Sequence, residues 1–333
     1  MAKDSKPTTW NPASHPDAPL KWRKPRRVRV NLTGTETDRQ LDRMFAVMAL
    51  ASDSTFEVLA GAGWLRDYLT KPYMPGRVCD VATKQGKPLH KAETIRHDDG
   101  EYRKLTPVTW PLPNVAIGTT CRTQAEVDHA VPILLSMPNA GPWLRLEPVE
   151  AISVARLIGP WKDCPHYANF SPYSSPVGTT SGTGEGGCTR PENVFADSGN
   201  PTARPGAVSC RPDGCPFGYI GRLHLIELSG QTGTDAKPLH PDWARSIRDE
   251  CKAAGVPFRF ESWGQWVPYD DDHWPASFAR DDVRDRDRTK FFGDAEMYPA
   301  GPRRSGRVLD GVTHDGQIEF NHQRKGQDDK GAD

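Results

Sequence analysis

The feature that most constrains this chain is a repeated change of period, from short β-branched runs to segments whose apolar residues recur at helical spacing. "RVRVN" (27–31) precedes "DRQLDRMFAVMAL" (38–50), in which Leu41, Met44, Phe45 and Met48 fall on one face of a helix. The alternation returns as "TFEVLA" before "GWLRDYL", and as "NVAIGTT" before "TQAEVDHAVPILLSM", where Thr123 and Glu126 have capping-box spacing and Pro132 is expected to kink or divide the helix. "PWLRLEP" is a further strand, with a short helix in "EAISVARL". "RLHLIEL" then leads to a helix that starts at Pro241 and stops at Gly255, and "VPFRF" follows.

Six strand–helix alternations without clear hairpins predict parallel strands. The fold class is therefore α/β: a parallel β/α barrel, complete or partial and TIM-like, with long loop insertions. A doubly wound open sheet is the alternative. One domain over residues 1–320 accommodates the pattern, with two excursions. Residues 158–221 are Gly-, Pro-, Ser- and Thr-rich and carry cysteines, 267–305 are rich in mixed charge, and 321–333 read as a disordered tail.

Charge excludes a global attraction to nucleic acid, because 43 Lys and Arg face 43 Asp and Glu. A nucleic-acid partner would need a local patch, and "KWRKPRRVR" offers Arg26 and Arg27. It reads first as a solvated lead-in to a strand. The N-terminal "MAKDSKPTTWNP" has no apolar signal core and no window approaches the ~18 apolar residues of a membrane span, so a soluble, cytoplasmic protein is expected. Seven cysteines, an odd number in a long chain, favour reduced thiols or a metal site over a disulfide framework.

In a parallel barrel the residues just after each strand converge on one face, which makes them the candidate site. The carboxylates there are Glu147 and Glu261, candidates for general acid–base work against the plain reading of ion pairs or loop anchors. The candidate ligand-binding residues are Asn31, Thr33, Ser229, Gln231, Ser262 and Trp263; Trp263 and Trp266 can stack a base or sugar, or simply cap the barrel. Cys188, Cys210 and Cys215, with Cys164 and His166 upstream, are the candidate zinc ligands, although their spacings match no standard finger. No glycine-rich phosphate loop, His-Glu-x-x-His helix or nucleophile elbow is present.

The phrases "WNP" at Trp10, "MFAVMAL", "TFEVL", "LPNVAIGT", "RLEPVE", "HPDWARSIRDECKAAGVPF", "SWGQW" and "SGRVLDG" resemble, in the same order, a phage-associated family of unknown function labelled Gp-thirty-seven/Gp-sixty-eight and described as radical-SAM-like. The resemblance spans Trp10 to about Phe320 and implies an α/β barrel. It also implies a cysteine-rich block after "WNP" that holds an iron–sulfur cluster, and here that stretch reads "WNPASHPDAPLKWRKPRRVRV" without a cysteine. Radical cleavage of S-adenosylmethionine needs the cluster, so the cluster and S-adenosylmethionine are expected to be absent. At the strand ends "NLTG", "LAGAG", "SGQTG" and "ESW" replace phrases usual in the relatives, so the scaffold persists while the rim changes.

The leading expectation is a binding or accessory barrel without cluster chemistry, for an unknown small molecule or nucleotide. One alternative is an active enzyme on a nucleotide or nucleic acid, using relocated cluster cysteines or the rim carboxylates. Another is a module whose zinc-bearing insertion recruits a protein partner.

Overall fold

The structure is a computed structural model. It describes residues 7–71, 73–85, 91–97, 100–106, 109–155, 167–168, 187–188, 223–269, 289–318 and 320, with only the backbone of 91–97, 100–106, 167–168 and 187–188. The strands are β1 (Thr8–Thr9), β2 (Arg27–Asn31), β3 (Thr55–Leu59), β4 (Lys91–His97), β5 (Gly100–Thr106), β6 (Val115–Cys121), β7 (Trp143–Leu146), β8 (Tyr167–Ala168), β9 (Gly187–Cys188), β10 (Leu225–Ser229), β11 (Phe258–Ser262), β12 (Trp266–Pro268), β13 (Lys290–Phe292), β14 (Ala295–Pro299), β15 (Val308–Leu309) and β16 (Val312–Thr313). The helices are α1 (Asp38–Leu50), α2 (Ala62–Leu69), α3 (Met74–Lys84), α4 (Gln124–Ser136) and α5 (Pro241–Ala254).

Seven strands form one sheet in the order β1-β2-β3-β6-β7-β10-β11, so each strand lies beside the next sheet strand in the chain. A doubly wound fold returns to the middle of its sheet and breaks this order. The strictly sequential, parallel arrangement is that of a partial β/α barrel, and it decides between the two expectations in favour of the barrel.

Two compact units emerge from the chain's contacts: residues 1–119, 133–142 and 319–333, and residues 120–132 and 143–318. In the first, Val28, Val30, Phe56 and Val58 of β2 and β3 are fully buried, and α1 covers its own core with Leu41, Phe45 and Met48. The helix begins on a complete capping box, Thr37 and Gln40 each bonding the other's backbone N–H. Asp42, buried in α1, accepts from Tyr68 Oη at 2.9 Å and from Arg77, joining α1 to α2 and α3. The "WNP" phrase is structural: Trp10 lies edge-on to Phe56, and Asn11 Oδ1 accepts from Ala13 N, closing a turn. Sequence reading missed the antiparallel pair β4–β5 in this unit.

In the second unit α5 buries Ala244, Ile247 and Cys251 and packs on β11, and Gly255 ends it in the left-handed conformation at φ 65°. Trp243 sits beside this stripe, edge-on to Phe292. The edge of β11 is covered by a late segment. Phe260 N donates to His314 O, and Gly316 N to Phe258 O. The excursion at 267–305 holds a three-stranded antiparallel sheet, β12-β14-β13, in its described parts. Of 158–221, only β8 and β9 lie within the described residues. Of the short helix expected in 150–157, residues 150–154 are not helical, Ala155 is, and 156–157 lie outside the described residues; α4 continues through Pro132 undivided.

Five of the seven strands in the large sheet, β2, β3, β7, β10 and β11, carry a charged residue where an apolar one is expected. Arg29 of β2 and Glu57 of β3 are register partners and pair at 2.7 Å, with Arg27 adding a 3.3 Å contact to Glu57. Likewise Arg145, Glu227 and Arg259 occupy one register level of β7, β10 and β11, and Glu227, fully buried, takes Arg145 at 2.9 Å and Arg259 at 2.8 Å. Removing one member of such a group strands the others in a low-dielectric interior, at a cost of ~3 to 5 kcal/mol. Glu227→Ala is therefore expected to destabilise the second unit by about that amount in urea denaturation, while Asp38→Ala, which breaks the exposed pairs with Lys71 and Arg77, costs under about 1 kcal/mol. A Glu227→Ala protein as stable as the parent would refute this.

Candidate functional site

The carboxyl ends of β10 and β11 form the most constrained part of the second unit. Gly230 N donates to Ser262 O at 2.8 Å, and Gln265 N to Gln231 O at 2.7 Å, so the segments after the two strands lie backbone against backbone. Both contain a glycine for that reason. A Cβ at Gly230 would overlap the Trp263 carbonyl, and one at Gly264, where φ is +80°, would overlap the Gln231 and Gly230 carbonyls. The "SGQTG" and "SWGQW" phrases are thus two halves of one rigid ledge.

On that ledge the hydroxyl of Ser229, buried and donating to the Gly230 carbonyl at 3.1 Å, lies 3.3 Å from that of half-buried Ser262. They meet because the register slips between Leu228 and Ser229: Leu228 pairs with Phe260 but Ser229 with Ser262, and Glu261 is the extra residue of the bulge. Glu261 is half-buried. Gln231 reaches back from the ledge, donating to the Glu147 backbone carbonyl at 3.4 Å and accepting from Lys237 N at 3.1 Å.

Glu147, just beyond β7, has both carboxylate oxygens engaged, Oε1 by Arg145 at 3.1 Å and Oε2 by Arg122 at 3.4 Å. The Arg122 side chain is 57% exposed. Nearby, the start of α4 is satisfied by protein groups. Thr123 Oγ1 accepts from Glu126 N as expected, while the Glu126 carboxylate turns to Arg122 N instead of the cap residue, and Gln124 N is taken by Glu150.

Trp263 is 5% exposed, its ring edge-on to Phe260 at 4.9 Å and its N–H donated to Val308 O at 2.9 Å. Trp266 is also enclosed, donating to Ala236 O, with the Lys290 ammonium 4.9 Å above its ring. In the first unit, Asn31 is exposed at the end of β2. Thr33 builds the following turn, its N–H and hydroxyl donating to Glu36. Partial burial pushes the Glu36 carboxyl up, but the Thr33 and Gly34 donors outweigh it and hold the group below the usual carboxylate range. Of the basic segment, Arg27 is committed to Glu57, and Arg26 lies over the Trp22 ring.

Sequence reading missed the row of paired strand charges, Arg29, Glu57, Glu227 and Arg259 buried and Arg145 partly exposed. Its signal is visible: one charged residue at the centre of an otherwise apolar strand ("RVRV", "FEVL", "WLRL", "LIEL", "FRF").

The described thiols do not suit an iron–sulfur cluster. Cys79, Cys121 and Cys251 are buried on α3, β6 and α5. Burial pushes the Cys121 thiol up to about 12 and that of Cys251 higher still, the opposite of what a thiolate ligand needs. The side chains of Cys188, Cys210 and Cys215 lie outside the described residues. Among the described residues one group of metal-capable donors converges, His240, Asp242 and Asp294, but each has a structural task. His240 Nδ1 caps α5 by accepting from Asp242 N, Nε2 meets Asp294 at 3.0 Å, and Asp242 binds Arg245 at 2.8 Å. No described helix is long and apolar enough to cross a membrane.

Two outcomes follow. Gly264→Ala should destabilise the protein by more than about 2 kcal/mol, whereas Gly61→Ala, with open space around its Cβ, should be close to neutral; equal melting temperatures would contradict the ledge geometry. Iodoacetamide should label the peptides of Cys79, Cys121 and Cys251 only after denaturation, as read by peptide mass mapping, and native labelling would contradict their burial.

No curated protein and no solved structure matches this chain. A family described as "Protein of unknown function (DUF5131)" matches residues 4–317, which takes in both units and nearly the whole sequence. The chain belongs to the DUF5131 family of proteins of unknown function.

Proposed function

We propose that this DUF5131 chain is a binding or accessory protein of the radical-SAM-like, phage-associated type that has no cluster chemistry, and that its ligand is a small nucleotide-like molecule held at the carboxyl ends of β7, β10 and β11. The observation that carries the reading is the glycine-locked ledge. It fixes the hydroxyls of Ser229 and Ser262 side by side on a frame that cannot relax, which is how a binding site keeps the ordering cost of its ligand low. Gln231 and the partly exposed guanidinium of Arg122 border the same rim and supply donors for a ribose or a phosphate.

Binding is favoured over acid–base catalysis by the state of Glu147. Both its oxygens are occupied by guanidinium groups, so it takes or gives a substrate proton only by breaking an ion pair. The enclosed Trp263, its N–H donated to Val308 O, offers little ring surface for a ligand to stack on.

The test is isothermal titration with AMP and ATP on protein purified anaerobically, combined with elemental analysis. Saturable nucleotide binding that weakens at least tenfold in Ser229→Ala/Ser262→Ala, in a protein free of iron, is the expected outcome. Stoichiometric iron with a cluster absorption band would overturn the cluster-free reading. Failure of both nucleotides to bind, or unchanged affinity in the double variant, would remove the rim. One zinc per chain that disappears in Cys210→Ser/Cys215→Ser would instead favour a structural zinc site formed by Cys188, Cys210 and Cys215.

A further inference from the structure

The segment that leads into β2, in the first unit, carries a charge that the protein does not balance. Residues 21–26, "KWRKPR", hold four cations, Lys21, Arg23, Lys24 and Arg26, and no carboxylate. All four residues are exposed, and none makes an ion pair among the described residues. Other cations of this unit are matched, Arg66 by Asp67, Lys71 by Asp38 and Arg77 by Asp42. The neighbouring carboxylates do not make up the difference. Asp17 is taken by Arg43 at 2.7 Å, and Asp53, in the turn before β3, is a single charge against four.

The backbone that carries these charges is tied down at both ends. At its start Lys21 closes a turn of 3-10 helix, Ala18–Lys21, and Trp22 N donates to Pro19 O at 3.3 Å. At its end Arg26 N donates to Ser54 Oγ at 3.2 Å and Arg26 O accepts from Thr55 N at 3.0 Å, where the pairing of β2 with β3 begins. Between these anchors the Arg26 guanidinium lies 5.0 Å from the centre of the half-buried Trp22 ring. A backbone fixed in this way gives up little further freedom when a partner binds.

We propose that this segment is a docking surface for the phosphate backbone of duplex nucleic acid, bound without regard to sequence. A row of uncompensated Lys and Arg attracts a polyanion, and phosphates spaced along a strand can meet several of these cations at once. A membrane surface fits less well, because firm attachment takes an apolar anchor as well as charge, and none of the exposed large apolar side chains lies in this segment. A single strand held by stacked bases also fits less well, since the Trp22 ring is half-buried and already carries Arg26 on its face. Six residues reach at most about 20 Å, so the surface meets only a few phosphates and the affinity is that of non-specific binding, ~10⁻⁴ to 10⁻⁶ M at physiological salt. The segment shares no residue with the strand-end ledge, so it stands or falls separately from the reading given for the rim.

The test is the fluorescence anisotropy of an end-labelled duplex of arbitrary sequence, titrated with the full chain at salt concentrations from about 50 to 200 mM. Binding should saturate at low salt, and the logarithm of the binding constant should fall against the logarithm of salt with a slope of about −3. Lys21→Gln/Arg23→Gln/Lys24→Gln should bind at least tenfold more weakly, with a slope shallower than about −1 and an unchanged melting temperature. Should that variant fail to fold, Arg23→Gln alone, expected to weaken binding about threefold, carries the test. Lys237→Gln/Lys252→Gln/Arg303→Gln, which removes the same charge at exposed positions of the second unit, should bind as the parent does, and so should Ser229→Ala/Ser262→Ala. A titration that does not saturate, an affinity independent of salt, or equal losses in the two charge variants overturns the proposal. So does displacement of the duplex by polyglutamate as readily as by unlabelled duplex, which would point to an acidic protein. Cosedimentation with phosphatidylserine vesicles that is tighter than duplex binding and lost in the same variant would overturn it in favour of a membrane.

Discussion

Glu227 is the residue on which the second unit depends. It is fully buried on the next-to-last strand of a parallel sheet and flanked at its own level by Arg145 on one strand and Arg259 on the other. Such a trio is poor evidence for stability, since apolar residues of the same volume pack as well without the cost of removing ions from water. Its effect is on specificity. A slip of one residue turns every side chain to the other face of a sheet, and a slip of two keeps the faces but separates each buried charge from its partner. The ion pairs therefore penalise the error that hydrophobic patterning leaves open. Arg29 and Glu57 do the same between β2 and β3.

The correct register is also what brings the rim together. Because Glu227 and Arg259 are level, Leu228 meets Phe260, and the bulge that follows lets Ser229 meet Ser262 with Glu261 displaced. Beyond them the chain has no freedom, since Gly230 and Gly264 bring two backbones closer than any side chain allows. Charge in the strands, the bulge at their ends and glycine in the following loops form one sequence of constraints, each positioned by the last.

Much of the scaffold was legible in the sequence, because long periodic segments carry their own signals. α1 falls on the residues its apolar spacing indicates, and α5 has the Pro241 start and Gly255 stop read from composition. The hairpins were not legible. β4–β5 has little apolar alternation, and in "LDGVT" the Asp-Gly turn is flanked by strands only two residues long. The candidate site was half legible. Strand ends marked Ser229 and Ser262 as rim residues without showing that their hydroxyls meet, and nothing near Glu147 announces that Arg122, 25 residues earlier, will hold it. Nor does "SWGQW" show that the Trp263 indole is enclosed, because the carbonyl that takes its proton belongs to Val308, 45 residues later.

That reliance on late residues has a temporal side. Trp263 is bonded to Gly306 and Val308, and β11 exchanges hydrogen bonds with the segment at 314–316, the Arg259 guanidinium donating to Gly316 O. On the ribosome, β10 and β11 emerge well before these partners are translated. Until they do, β11 offers an open edge and Arg259 lacks one of its acceptors, so the nascent chain passes through an interval in which this half is sticky and incomplete. Anything that slows translation between the codons for Trp263 and Gly316 lengthens that interval, and a holdase acting on the exposed edge shortens its consequences.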